Sequence, residues 1–278
     1  MKDIVELKRI AAKIRLGIIE GVYSAQSGHP GGSLSIAKIL AVLYFDQMDI
    51  DPQNPSRQDR DRLVLSKGHA APAYYAALAN RGYFPVEALA TLRKAGSFLQ
   101  GHPCMNKIPG VDMSTGSLGQ GLSAANGMAL AGKMDGLDYR VYCITGDGEL
   151  QEGQIWEAIM TASQYQLDNL TLFIDCNGLQ IDGRVDDIMG NYPFKSKLES
   201  FRWHTVEIDG HRIEEIQSAI EEARNTKQRP TAIICKTTKG KGVSFMEDQA
   251  GWHGSAPNEA QYRQAVQEIT AVISSLEV

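Results

Sequence analysis

The chain has 278 residues, 43% apolar and 22% charged, with 28 basic against 33 acidic side chains and a formal charge of −5. Those proportions suit one well-buried globular domain, and without a basic block they argue against nucleic acid as the main partner. No apolar stretch approaches the ~20 residues a membrane helix needs, and Met1 to Glu20 lacks the apolar block of a signal peptide. The cysteines (Cys104, Cys143, Cys176, Cys235) lie far apart with no CxxC spacing, so a cytoplasmic protein with free, core-type thiols is expected.

Apolar residues at Ile4, Leu7, Ile10, Ala11, Ile14, Ile18 and Val22 form a helical stripe from Ile4 to Val22. A glycine-rich loop, Ser27-Gly28-His29-Pro30-Gly31-Gly32-Ser33, is followed by a second helical run from Leu34 to Tyr44. The polar, breaker-rich stretch Asp51 to Asp61 reads as a surface loop, and Leu63-Val64-Leu65 as a short buried strand. From Leu118 to Met134 glycine and alanine are dense, predicting a helix of little bulk that lets another backbone approach closely.

The clearest strand–helix–strand unit follows: strand Val141–Thr145, helix Gln151–Gln166, strand Leu170–Asp175. Both strands are continuous apolar runs, as expected for parallel strands covered on both faces. Strands at Thr205–Ile208 and Thr231–Cys235 flank a helix at Ile213–Arg224. The repeated order predicts an α/β fold, a doubly wound, mainly parallel sheet with helices on both faces.

In such a sheet, ligands bind beyond the carboxyl ends of the strands. One strand there runs into Gly146-Asp147-Gly148-Glu149 and the next into Asp175-Cys176-Asn177-Gly178. The glycines permit a sharp turn, with the Gly148 amide free to face an anion at the following helix start. Asp147 offers a carboxylate oxygen and Asn177 an amide oxygen, a pair suited to Mg²⁺ (Ca²⁺ being the other candidate), which takes its remaining ligands from phosphate and water. Alone, Gly-Asp-Gly is equally a plain turn after a strand. The 28 residues between Gly148 and Asn177 are enough for one crossover helix and one parallel strand, which would set the two strand ends side by side.

Gly146-Asp147-Gly148 followed by Asn177 resembles the signature of thiamine diphosphate enzymes. Further segments, Ser27 to Gly31, Asp61 to His69, Gly101-His102-Pro103, Ser114 to Gly121, Asn177 to Gly183 and Ile208 to His211, resemble transketolase in order and spacing over nearly the whole chain. That resemblance implies an enzyme moving a two-carbon ketol unit between ketose and aldose phosphates. The cofactor supplies carbanion chemistry, and protein histidines move protons. It implies metal ligation by Asp147, Asn177 and the carbonyl of Leu179. His69 and His253 would contact the diphosphate, and Gly116 and Leu118 the aminopyrimidine through their backbones. His29 and His102 would face the reacting sugar hydroxyls, with His253 also close to the chemistry. Glu152 would join a carboxylate network across a dimer. His204 and His211 keep a structural reading.

The same resemblance places the carboxylate that activates the aminopyrimidine, and the residues that bind sugar phosphate, in a separate pyrimidine-binding domain. Residues 1–278 read as a single diphosphate-binding domain, with the pyrimidine-binding and C-terminal domains absent. The expectation is therefore the N-terminal subunit of a split transketolase, active with a C-terminal subunit, as α2β2. Ser117 departs from the proline usual in single-chain members. Lys239-Gly240-Lys241-Gly242 adds two lysines, to be read either as solvated loop residues or as one reaching a phosphate. A 1-deoxyxylulose-5-phosphate synthase-like chain, dihydroxyacetone synthase, a transketolase for specialised sugars and a non-catalytic cofactor-binding scaffold are the alternatives.

Overall fold

The computed structural model describes residues 2–276; the ends of the predicted 1–278 span lie outside them. In chain order the elements are α1 (Ile4–Ala25), α2 (Pro30–Leu34), α3 (Ala37–Val42), β1 (Arg62–Leu65), α4 (Ala71–Arg81), α5 (Gly121–Asp135), β2 (Val141–Gly146), α6 (Gly153–Gln164) and β3 (Leu170–Cys176). There follow a small hairpin, β4 (Leu179–Gln180) and β5 (Gly183–Arg184), then α7 (Val185–Met189), α8 (Phe194–Ser200), β6 (His204–Asp209), α9 (Ile213–Asn225), β7 (Thr231–Lys236) and α10 (Glu259–Ser275).

The five longer strands form one parallel sheet in the order β1-β2-β3-β7-β6. Alternate strand residues feed opposite faces, the period-2 consequence of the pleat. Leu65, Tyr142, Ile144, Phe173 and Ile233 pack with α1, α3, α4 and α9, while Val64, Cys143, Leu172, Ile174 and Ala232 pack with α5, α6 and α8. Both faces of β2, β3 and β7 are therefore dry, which is why these strands read as unbroken apolar runs, whereas edge strand β6 is half-exposed.

The connections explain where the sheet opens. The chain passes from β2 to β3 through α6 and from β3 outward to β6 through α8, on one face. It returns from β6 to β7 through α9 on the other face. Right-handed crossovers require this change of face when the direction of travel reverses. The reversal leaves a crevice beyond the carboxyl ends of β3 and β7, the place where doubly wound sheets bind ligands.

Several boundaries differ from the sequence reading. The glycine-rich loop is partly helical, because Pro30 at the first position starts α2 and Ser33 Oγ donates to the His29 carbonyl at 2.7 Å. The predicted run Leu34–Tyr44 is broken at 35–36, and beyond α3 it ends in a π turn, Leu43–Gln47. The predicted helix at Leu118 begins only at Gly121, since Gly119 sits at φ +86°. The predicted helix from Gln151 begins at Gly153, after a 3₁₀ turn over Gly148–Gln151.

Helix α10 was not foreseen. Its start is fixed by a capping box, with Asn258 Oδ1 accepting from the Gln261 N–H and Gln261 Oε1 accepting from the Asn258 N–H, both at 2.9 Å. It packs on α1, where Tyr262 stacks on Tyr23 with ring centroids 4.0 Å apart. No helix among the described residues is long and apolar enough to cross a membrane.

Candidate active site at the strand ends

Parallel pairing puts Gly146 opposite Asp175, so Asp147 and the Asp175-Cys176-Asn177 segment leave the sheet side by side. Asp147 is 1% exposed. Its Oδ1 accepts from the Gly148 N–H at 2.8 Å; its Oδ2 accepts from the Gly178 N–H at 2.7 Å and the Tyr192 hydroxyl at 2.9 Å. These donors are all neutral. Burial, then the nearby charge of Asp175, raise the Asp147 pKa above the usual carboxylate range.

Asn177 and Leu179 border the same cavity as Asp147, about 180 Å³ in volume. Asn177 Oδ1 accepts from the Leu179 N–H at 3.1 Å and its Nδ2 donates to Asp175 Oδ2 at 2.9 Å, fixing which way the amide faces. One carboxylate, one amide and one carbonyl make a hard, all-oxygen set. No group of three or more His, Cys, Asp or Glu side chains among the described residues is arranged to hold a metal. A divalent cation beside Asp147, whose hydrogen-bond donors carry no charge, would thus be completed by oxygens of its ligand, and the residues present fit Mg²⁺ bound with a diphosphate.

Two of the histidines, His69 and His253, border the same cavity; the His29 ring packs against both, with His102 beyond it. The His29 ring centroid lies 5.4 Å from those of His69 and His253 and 6.3 Å from that of His102, and His69 and His253 are 5.0 Å apart. All four have pKa values below the imidazole norm. Burial leads in each; Lys67, Lys239 and Arg93 add positive charge, taking His29 to about 4 and His253 to about 3. Neutral rings are therefore the resting state near pH 7. His204 instead meets Glu222 at 2.6 Å on the surface, and His211 Nε2 accepts from the Thr238 N–H at 2.8 Å in loop packing, away from this cluster.

The two loop lysines separate. Lys239 is 2% exposed and lines the cavity. Its Nζ donates to the Leu179 carbonyl at 3.2 Å and to His253 Nδ1 at 3.0 Å. Both acceptors are neutral, so an anion in the cavity would find this cation without a hydrogen-bonded carboxylate, while the charges of Asp175 and Asp147 act on it from nearby. The solvated-loop reading therefore fails for Lys239, because the turn folds it inward beneath His253. It holds for Lys241, which pairs with Glu247 at 3.2 Å at the surface.

Glu152 borders the cavity but is exposed, standing as the residue before α6. Its Cβ would lie 2.8 Å from a Cβ added at Gly119, whose positive φ independently calls for glycine. Gly116 and Leu118 lie on the loop between His102 and Gly119; Leu118 borders the cavity, and a Cβ on Gly116 would stand 3.3 Å from the His102 ring.

Two organising groups had no sequence role assigned. Lys67, 1% exposed, donates to Asp175 Oδ2 at 2.6 Å and to the Gly32 carbonyl at 2.7 Å, tying β1, α2 and β3 together. Glu149 accepts from Ser66 Oγ at 2.5 Å, Gly119 N–H at 2.9 Å and Gly146 N–H at 3.1 Å, while Ser66 Oγ accepts from Gly121 N–H. The available signal was position: Lys67 and Glu149 each sit a few residues beyond a buried strand. A larger cleft, about 710 Å³, lies at the amino ends of β6 and β7 around Arg202 and Arg229 and holds none of the predicted site residues.

The fold and site define a thiamine diphosphate-binding domain of the transketolase type. Residues 6–271 match the family described as transketolase, thiamine diphosphate binding domain, and the chain belongs to that family. It is 49% identical over 265 residues to SqwG, a 6-deoxy-6-sulfo-D-fructose transketolase subunit of Clostridium sp. (strain MSTE9), covering 95% of this chain and 96% of that one. It is 43% identical to one of the apulose-4-phosphate transketolase subunits of Phocaeicola vulgatus, covering 95% of this chain and 94% of that one. Human transketolase is 45% identical over 273 residues, a match covering 97% of this chain but 43% of the human protein. The crystal structure of transketolase from Campylobacter jejuni superimposes with a TM-score of 0.90 at 33% identity, over 99% of this chain and 46% of that one. The relatives matched end to end are thus transketolase subunits, and this chain is a transketolase-type transferase subunit of the same family.

Proposed function

We propose that this chain holds the diphosphate of thiamine diphosphate through Mg²⁺ and catalyses two-carbon ketol transfer between sugar phosphates when joined to a separate C-terminal subunit. The observation carrying this reading is the meeting of Asp147, Asn177, the Leu179 carbonyl and Lys239 around one cavity bordered by the neutral rings of His69 and His253. Asp147, Asn177 and Leu179 would ligate the metal. His69, His253 and Lys239 would meet the diphosphate, and Gly116 and Leu118 the aminopyrimidine; Gly148 borders the cavity, but its N–H is turned to Asp147 Oδ1 and would have to leave it to reach the diphosphate. Ca²⁺ satisfies the same oxygen donors with a looser geometry.

When bound, thiamine diphosphate supplies the carbanion chemistry of ketol transfer. His29 and His102, both held neutral, are able to accept a proton from a sugar hydroxyl and return it, with His253 beside them. The pyrimidine-binding domain and the residues for the sugar's anionic end would come from the partner, giving an α2β2 assembly in which Glu152, exposed at the cavity's edge, faces a second copy. A cytoplasmic setting in pentose phosphate metabolism goes with this reading. The names of the two end-to-end relatives favour, as a second reading, a specialised anionic ketose as donor.

Asp147→Ala should remove Mg²⁺-dependent binding of thiamine diphosphate in calorimetric titration, and undiminished binding would overturn the site. Ketol transfer should require the partner subunit. Robust turnover by the purified chain alone, followed with xylulose 5-phosphate, would sink the split-subunit reading.

A further inference from the structure

Arg93 acts on His29 and His102 by its charge, and its geometry gives it a second connection to them. It follows a 3₁₀ turn, Val86–Thr91, at φ +59°, where its N–H donates to the Leu99 carbonyl at 2.9 Å. A left-handed arginine is uncommon and is held there by its surroundings. From this position Nη1 donates to Ser27 Oγ at 2.9 Å and Nη2 to the Gly101 carbonyl at 3.3 Å. Ser27 opens the Ser-Gly-His-Pro segment that carries His29. Gly101 opens the Gly-His-Pro segment that carries His102.

One planar group thus spans two loops far apart in sequence, whose histidine rings lie 6.3 Å apart. The guanidinium is seated closely on the second loop: a Cβ added at Gly101 would stand 3.1 Å from Nε and 3.2 Å from Cζ. A branched, rigid fork is what this geometry asks for; a lysine offers a single point of donation on a flexible stem.

We propose that Arg93 is a positioning residue for ketol transfer, clamping the His29 and His102 loops at a fixed separation and setting a permanent positive charge beside both rings. The inference rests on the reading that these two histidines face the sugar. The groups facing His29 are Arg93, His102, Lys239, His69 and His253; those facing His102 are Arg93, His29 and, on the same rim, Lys94. Burial is the larger cause of the lowered pKa of each ring, and Arg93 is the next. His29 Nδ1 is also buried without a protein partner, so protonation there would leave a donor unsatisfied. The clamp therefore keeps two proton acceptors neutral and at a set distance, which a floppy pair of loops would not do.

The test uses the folded chain for histidine titration by NMR and the assembled two-subunit enzyme for kinetics. Arg93→Met should raise the titration midpoints of His29 and His102, leave that of His211 in place, and lower kcat/KM by about 100-fold, the cost of misplacing reacting groups by an ångström, at unchanged cofactor affinity. Arg93→Lys should restore the midpoints without restoring the rate. If Arg93→Met does not fold, Ser27→Ala, which removes one of the two acceptors, should show the rate loss without the shift in midpoints. Unaltered kcat/KM in Arg93→Met, or full activity in Arg93→Lys, would overturn the clamp; unmoved midpoints in Arg93→Met would overturn its electrostatic part. Should His29→Gln and His102→Gln both retain parental kcat/KM, the sugar-facing reading falls instead, and the titration result is judged separately.

Discussion

Asp147 and Asp175 stand at the ends of neighbouring strands, equally buried, and are treated oppositely. Asp175 is fully buried and receives the Lys67 ammonium, the hydroxyls of Ser35 and Thr237, and the amide of Asn177. Burial works against its charge, but Lys67 and these hydrogen bonds outweigh it and hold its pKa below the usual value. Asp147 receives two backbone amides and a tyrosine hydroxyl, and burial together with its neighbour pushes its pKa up. One carboxylate is hydrogen-bonded to its countercharge within the fold; the other has only neutral hydrogen-bond donors, with the Lys239 charge nearby, and on the proposed reading takes a cation as well. The contrast separates an anchor from a binding group where sequence shows only two aspartates after two strands.

The largest effect should come from breaking the anchor. Lys67→Met leaves Asp175 buried and unpaired, and should cost about 3–5 kcal/mol of stability in urea unfolding; a loss below about 1 kcal/mol would dissolve the distinction between the two aspartates. The binding side is sharpened by the loop lysines. Lys239→Met should weaken Mg²⁺–thiamine diphosphate binding by about 1.5–3 kcal/mol, the range for a hydrogen bond to a charged group, while Lys241→Ala leaves the affinity unchanged; equal effects would return both lysines to the solvated loop. The smallest change lies far from either carboxylate. Asn258→Ala, which opens the capping box of α10, should cost about 1 kcal/mol of stability with cofactor affinity intact, and a loss of affinity there would mean that α10 also supports the site.

Much of the sheet was legible because β2, β3 and β7 are buried on both faces and its longer helices carry period-3.6 stripes. The convergence of Asp147 and Asn177 on one cavity was legible because strand ends in a parallel sheet converge by topology, so Gly146-Asp147-Gly148 and Asn177 needed only the right separation. Helix α10 escaped because it buries little, mainly Ala265 and Ile269, and starts on a polar cap rather than an apolar run. The break between α2 and α3 escaped because the run from Leu34 is mostly apolar, interrupted only by Ser35 and Lys38, and periodicity cannot place a kink. Lys67, Glu149 and Arg93 escaped for a different reason. Each acts through partners distant in sequence, Asp175 for the first, Gly119 and Ser66 for the second, Ser27 and Gly101 for the third, and long-range pairing leaves no periodic trace.

The alternation of strand residues between the two cores has a consequence for how this chain can change over generations. Phe173 and Leu172 are neighbours in β3, yet they belong to separate cores divided by the sheet. A drifted volume at Phe173 can be compensated from α1, α4 or α9, whereas one at Leu172 must be compensated from α5, α6 or α8. Second-site suppressors should therefore fall into two groups that scarcely mix, so that the two faces of one strand evolve as though they belonged to different proteins.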